Sequence, residues 1–167
     1  SSPAVASTGP FAKLMSANGV LRNEDSIAPL NTIYSGFATR VNASALFSHV
    51  QIFNPVGSGV IVIVDSILGG GIGIDNTTIR RRDTPLATDT GVWLTRSGSG
   101  ANGLAQIRSE NNAAILGILV EEFRWHDRNR MDRTYIYPFE LAAGESLLWV
   151  SINANVRADV TFMGREI

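Results

Sequence analysis

The amino-acid sequence predicts an all-β fold, an antiparallel β-sandwich of jelly-roll type spanning residues 41–167 behind an extended N-terminal arm, residues 1–40. Three observations carry this. Short runs rich in β-branched and aromatic residues recur from about residue 41, separated by Gly, Pro, Asn and Ser. AAILGILVEEFRW has apolar residues at helical spacing (Ile115, Ile118, Leu119, Phe123), but Gly117 in mid-run makes it read as a strand among strands, and FAKLMSAN could make one helical turn that Gly19 stops. No repeat of fixed period is visible, which argues against a propeller or solenoid.

Residues 1–40 contain Pro3, Pro10 and Pro29 and only scattered hydrophobes, with no sustained strand or helix period. Such a segment buries too little apolar surface to fold alone and reads as an arm lying on a neighbouring surface. Its start, SSPAVASTGPFAKLMSANG, lacks the basic n-region and apolar h-region of a signal peptide.

The body opens with VNASALFSHVQIFNP, which places Leu46, Ser48, Val50 and Ile52 on one face and Phe47, His49, Gln51 and Phe53 on the other. Asn54–Gly59 is a turn by composition. GVIVIVDSIL follows, and its Val60–Val64 run is the clearest buried strand in the chain. Gly69–Gly71 and Gly73 read as a break or bulge before IGIDNTTIRRRD resumes the β texture. After the loop holding Pro85 comes GVWLTR, a short strand, and then SGSGANG, turn-like from Ser97 to Gly103. The C-terminal part reads as three strands: TYIYP, with Tyr135 and Tyr137 alternating against Thr134 and Ile136; SLLWVSI; and VRADVTFMGRE. The last puts Val156, Ala158, Val160 and Phe162 inward and Arg157, Asp159, Thr161 and Met163 outward, the period of a half-buried antiparallel strand. About seven to nine strands are expected.

Composition narrows the function classes. The 167 residues are 44 % apolar and only 17 % charged, with a net charge of −1. A chain with few charges favours an assembly in which neighbours cover part of the surface. The near-neutral balance gives no footprint for specific nucleic-acid binding. Lys and Arg total 14, and Lys13 is the only lysine. The absence of cysteine excludes disulfides and thiolate metal sites, and no run reaches the roughly 18 apolar residues of a membrane helix.

Motifs for catalysis are weak. GGGIGIDN leads into a strand rather than a helix and has no G-K-[ST], so neither a dinucleotide loop nor a P-loop fits. His49 and His126 are the only histidines and lie outside any metal-ligand spacing. His126-Asp127, with Glu121 and Glu122 nearby, could host acid–base chemistry; a charged loop is the simpler reading. No G-x-S-x-G elbow is present. The chain is read as a non-enzyme without cofactor or metal. Arg80, Arg81 and Arg82 form a cationic run that suits a protein partner, and Arg128, Arg130 and Arg133 suit salt bridges between subunits. Trp149 among Leu147, Leu148 and Val150 reads as core, whereas Trp125 among charges is an interface candidate.

The ending PFELAAGESLLWVSINANVRADVTFMGRE resembles the closing hairpin of small β-sandwich proteins in tailed bacteriophage virions, where a Leu-x-x-Gly-Glu-Ser-Leu turn enters a strand. SHVQIFNPVGSGVIVIVDSI is similar to their opening strand pair. The resemblance covers most of residues 45–167 and implies a virion structural role, without active-site residues. Together with the arm, it leads to the expectation of a capsid decoration protein that binds the major capsid protein or other virion proteins and self-associates, as a trimer by analogy with proteins at symmetric points of a shell. A carbohydrate-binding adhesin or tail-tip module, using Trp125, Tyr135 or loop aromatics, is the alternative.

Overall fold

The computed structural model describes residues 33–72, 75–96, 102–125 and 130–167, with only the backbone course described at residues 71–72, 75, 124–125 and 130–133. These residues form ten strands: β1 (Ile33–Arg40), β2 (Phe47–Phe53), β3 (Val62–Ile72), β4 (Asp75–Arg82), β5 (Thr88–Thr95), β6 (Asn102–Asn112), β7 (Ile118–Trp125), β8 (Arg130–Leu141), β9 (Ser146–Ser151) and β10 (Arg157–Glu166). There is no helix among them. The protein is all-β, and the strands form one curled antiparallel sheet in the order β7-β4-β9-β2-β6-β5-β1-β10-β3-β8.

The pairing follows a simple rule. Each strand pairs with its counterpart counted from the other end of the series: β1 with β10, β2 with β9, β3 with β8, β4 with β7 and β5 with β6. The chain is one long antiparallel hairpin with its tip at β5–β6. Further ladders, β1–β5, β2–β6, β3–β10 and β4–β9, form where that hairpin winds beside itself. Winding brings distant strands face to face. Trp149 on β9 and Gly69 on β3 stand six places apart in the sheet, yet a Cβ at Gly69 would lie 2.6 Å from Trp149 Cζ2.

The apolar core fills the space inside the curl. It gathers Val50 and Ile52, Val62, Val64 and Ile67, Ile79, Trp93, Ile107, Leu147 and Trp149, and Ala158, Val160 and Phe162. Trp149 and the inward face Val156, Ala158, Val160, Phe162 are thus buried as their alternation predicts. Beyond packing, Asn54 ties the first turn to β8. Its buried Nδ2 donates to Val60 O (2.8 Å) and Leu141 O (2.9 Å). Asn54→Ala is expected to cost about 2–3 kcal/mol in urea unfolding, because it leaves carbonyls without their donor.

The outer face of β2 is covered too. His49 and Gln51 point away from the core but are fully buried, because two loops cross over them. The β4–β5 loop inserts Leu86 and the β6–β7 loop inserts Leu116 against Leu148 and Val150. Each loop is fixed by one β2 side chain: Leu86 N–H donates to Gln51 Oε1 (2.7 Å), and Leu116 N–H donates to His49 Nε2 (3.1 Å).

Four expectations require correction. The arm does not extend to residue 40: Ile33–Arg40 is β1, between β10 and β5. Its buried inward positions, Gly36 and Ala38, are small, and at Gly36 Ile107 and Trp93 occupy the space, so no apolar alternation marks it. Gly69–Gly71 are not a break but lie inside β3, paired with β10 throughout. The turn read at Ser97–Gly103 ends earlier, since Asn102 and Gly103 open β6 (Asn102–Asn112) and residues 97–101 lie outside the described residues; only Ala105, Ile107 and Ser109 are buried on the inner side of β6. Residues 113–117 are a loop, not strand, and β7 begins at Ile118 after Gly117, whose φ of 84° suits glycine.

Candidate interaction surface

The cationic run on β4 is less free than its sequence suggests. Arg80 Nε donates to Thr78 Oγ1 (3.0 Å) and its Nη1 to Gly117 O (2.8 Å), anchoring the β6–β7 loop. Arg81 Nη2 donates to Glu140 O (2.8 Å) on β8 and lies 3.4 Å from Glu145 Oε2. The first bond links β4, near one end of the sheet, to β8 at the other end. Arg82 has its backbone carbonyl bonded by Ser146 Oγ (2.7 Å), while its Nη1 is buried without a hydrogen-bond partner. Alternation along the strand sends Arg81 to the face opposite Arg80 and Arg82. The run is therefore mostly a set of structural ties.

At the end of β4 these residues border a cleft of about 450 Å³, lined by Arg81, Arg82, Asp83, Ile118, Glu145 and Ser146. Its rim continues into the β7 edge. There Ile118 is 78 % exposed, and Leu119 and Val120 are also exposed. Among the described residues β7 pairs only with β4, which makes it an edge of the sheet. Native proteins usually blunt such edges with charge or Pro.

Among the described residues the other edge of the sheet is β8. Its ladder with β3 runs from Val62↔Leu141 to Val64↔Phe139, then resumes at Ser66↔Thr134. Between those pairs β3 holds one residue, Asp65, and β8 holds four, Tyr135 to Pro138. Pro138 has no N–H to give the ladder, and the surplus residues stand out as a knuckle. Tyr135 turns in against Phe139 (ring centroids 4.8 Å apart, edge-to-face). Ile136 and Tyr137 turn out and are 90 % and 89 % exposed. The sequence pattern of alternating tyrosines fails here, since the bulge breaks the period of two. Opposite the knuckle, partial burial raises the pKa of Asp65, with the Arg165 guanidinium at 3.9 Å acting in the other direction.

No family model, curated protein or solved structure matches the chain.

Of the residues selected from sequence, the structure brings Arg81 and Arg82 to the cleft and directs Arg80 into the loop contact. Trp125 ends β7, and Arg130 and Arg133 lie on β8 with backbones paired to Gly70 and Ile67; their side chains lie outside the description. Arg128, with His126 and Asp127, lies outside the described residues. Ile118, Ile136 and Tyr137 escaped the sequence reading. The signal for Ile136 and Tyr137 was Pro138 after two tyrosines, which marks a ladder break. Among the described residues no group of three His, Cys, Asp or Glu side chains could hold a metal ion. No helix among them is long and apolar enough to cross a membrane.

Proposed function

We propose that this chain is a structural protein of a bacteriophage virion, a capsid decoration protein that binds the shell and self-associates, and that its curled sheet is a sandwich of jelly-roll type. The strand order supports the fold. With the β5–β6 tip set aside, the rolled hairpin leaves two groups of four, β1-β10-β3-β8 and β2-β9-β4-β7. Trp149 against Gly69 packs one group on the other, and jelly rolls recur in viral capsid and lectin domains. The observation that carries the functional reading is the placement of exposed apolar residues. Ile118, Leu119 and Val120 lie on one edge and Ile136 and Tyr137 on the other. Apolar surface concentrated on strand edges suits a protein that other subunits cover.

In this reading, residues 1–32 form the arm that reaches the major capsid protein. Attachment adds buried area to the shell at about 25 cal/mol per Å² of apolar surface, before association costs. Removal of residues 1–32 is expected to abolish co-sedimentation with capsids while leaving the thermal transition in place. The cut stops short of β1, since a cut at residue 40 would take a central strand. Undiminished sedimentation of the truncated protein would rule out the arm as the attachment.

Tyr137, exposed at 89 %, favours one second reading, a glycan-binding module, because tyrosine rings stack on sugars. A glycan array separates the two: specific sugar binding supports the module, and silence supports the structural role.

A further inference from the structure

The cleft beside β7 and the knuckle on β8 are both features of every copy. The knuckle is two adjacent bulky side chains, Ile136 and Tyr137, almost fully in water. They sit on a bulge that projects them from the strand, whereas a flat edge would hold alternate residues on opposite faces. The cleft has about 450 Å³, within the roughly 300–1,000 Å³ range of sites that enclose a small ligand. Its lining combines an apolar wall, Ile118, with groups that suit a phenol. The Arg81 guanidinium, which lines the cleft and is partly exposed, can donate to the phenol oxygen. The carboxylates of Asp83 and Glu145 can accept its proton.

A chain's own knuckle does not fill its own cleft, because both residues remain exposed. We propose that the Ile136–Tyr137 knuckle of one copy seats in the Arg82–Ile118 cleft of a second copy. Tyr137 supplies the aromatic anchor and its hydroxyl meets the cleft's polar groups. Ile136 covers Ile118 and the apolar edge that continues through Leu119 and Val120. Aromatic anchors in a pocket ringed by weaker contacts dominate the affinity of protein interfaces. The contact joins two different patches. It closes into a ring if repeated head to tail, or into a two-fold pair if reciprocated. The inference rests on the self-association in the proposed function, and its test does not involve the capsid. A negative result here leaves shell attachment to the truncation experiment.

The test is mass by light scattering at micromolar to tens-of-micromolar protein. Wild type is expected above its monomer mass of 18.0 kDa. Tyr137→Asp, Ile136→Asp and Ile118→Asp change exposed positions, so each is expected to keep the wild-type melting transition. Each is expected to weaken association by at least roughly 30-fold and run as a monomer. Mixing Tyr137→Asp with Ile118→Asp joins an intact cleft to an intact knuckle, so a two-chain species should return. A monomeric wild type, folded variants that keep the wild-type mass, or a mixture that stays monomeric would each overturn the proposal.

Discussion

Gly69→Leu is expected to destabilise the protein by about 3 kcal/mol or more, the upper end of overpacking costs. Gly69 lies in the middle of β3, paired with Val160 on one side and Met131 on the other. The Trp149 indole occupies the volume a side chain would need: a Cβ there would approach Cζ3 at 2.5 Å and Cζ2 at 2.6 Å. Trp149 is fully buried and also packs against Phe123 (ring centroids 6.1 Å apart), so it has no room to retreat. Trp149→Ala alone is expected to lose about 3–5 kcal/mol through the cavity it leaves. The decisive measurement is the double variant. The leucine introduced on β3 would fill part of the space Trp149 vacates, so the two changes together should cost less than their sum by about 0.5–3 kcal/mol in denaturant unfolding. Strict additivity, or a Gly69→Leu protein as stable as wild type, would mean that β3 and β9 do not meet as described.

The second expected result is a loss of stability on mild acidification that depends on His49. Nδ1 is 3.0 Å from Phe47 O, which can only accept, so Nδ1 carries the proton and Nε2 is free to accept from Leu116 N–H. The ring is neutral in this arrangement. Burial lowers its pKa, opposed by the Phe47 carbonyl and Glu110 and assisted by Arg82 and Arg80. Protonation would place a second N–H against Leu116 N–H, breaking the bond that holds the β6–β7 loop.

The sign follows from proton uptake. Below the ordinary histidine pKa of about 6.5 the unfolded chain binds a proton that the folded chain refuses. The His49 contribution is therefore fully present above that pH and declines as pH falls through it. The slope reaches at most about 1.4 kcal/mol per pH unit from this one group, until the folded ring itself titrates. In His49→Gln, whose amide oxygen can accept from Leu116 as Gln51 accepts from Leu86, that part of the slope between pH 7 and 5 is expected to vanish. An unchanged slope in His49→Gln would assign the pH dependence elsewhere. Amide hydrogen exchange at Leu116 offers a local check, with protection falling on acidification in wild type only.

Some of this was legible in the sequence because it depends on local rules. The alternation Val156, Ala158, Val160, Phe162 fixes one face of β10 whatever it packs against. Of the β-branched run Val60–Val64, residues 62–64 are buried strand as read, while Val60 and Ile61 precede β3 and Ile61 is exposed; Asn54–Gly59 lies between strands as its composition requires. The all-β class follows from such segments one at a time. Other features were settled by contacts between segments far apart in the chain. β1 has glycine at position 36 because Ile107 and Trp93 reach across to it. The glycines of β3 read as a break until Trp149, eighty residues on, is seen to occupy the space of a side chain at Gly69. His49 and Gln51 look like the polar, solvent-facing side of an amphipathic strand; loops carrying Leu86 and Leu116 close over them and turn them into buried anchors. The knuckle likewise arises where four residues of β8 must pass one residue of β3, a mismatch that exists only once the two strands pair. Periodicity and turn chemistry therefore determined the all-β class and the strands with clear alternation or β-branched runs, but not β1 or β6. Only the winding of the hairpin decided which faces are buried, because burial depends on what the opposite layer and its loops supply.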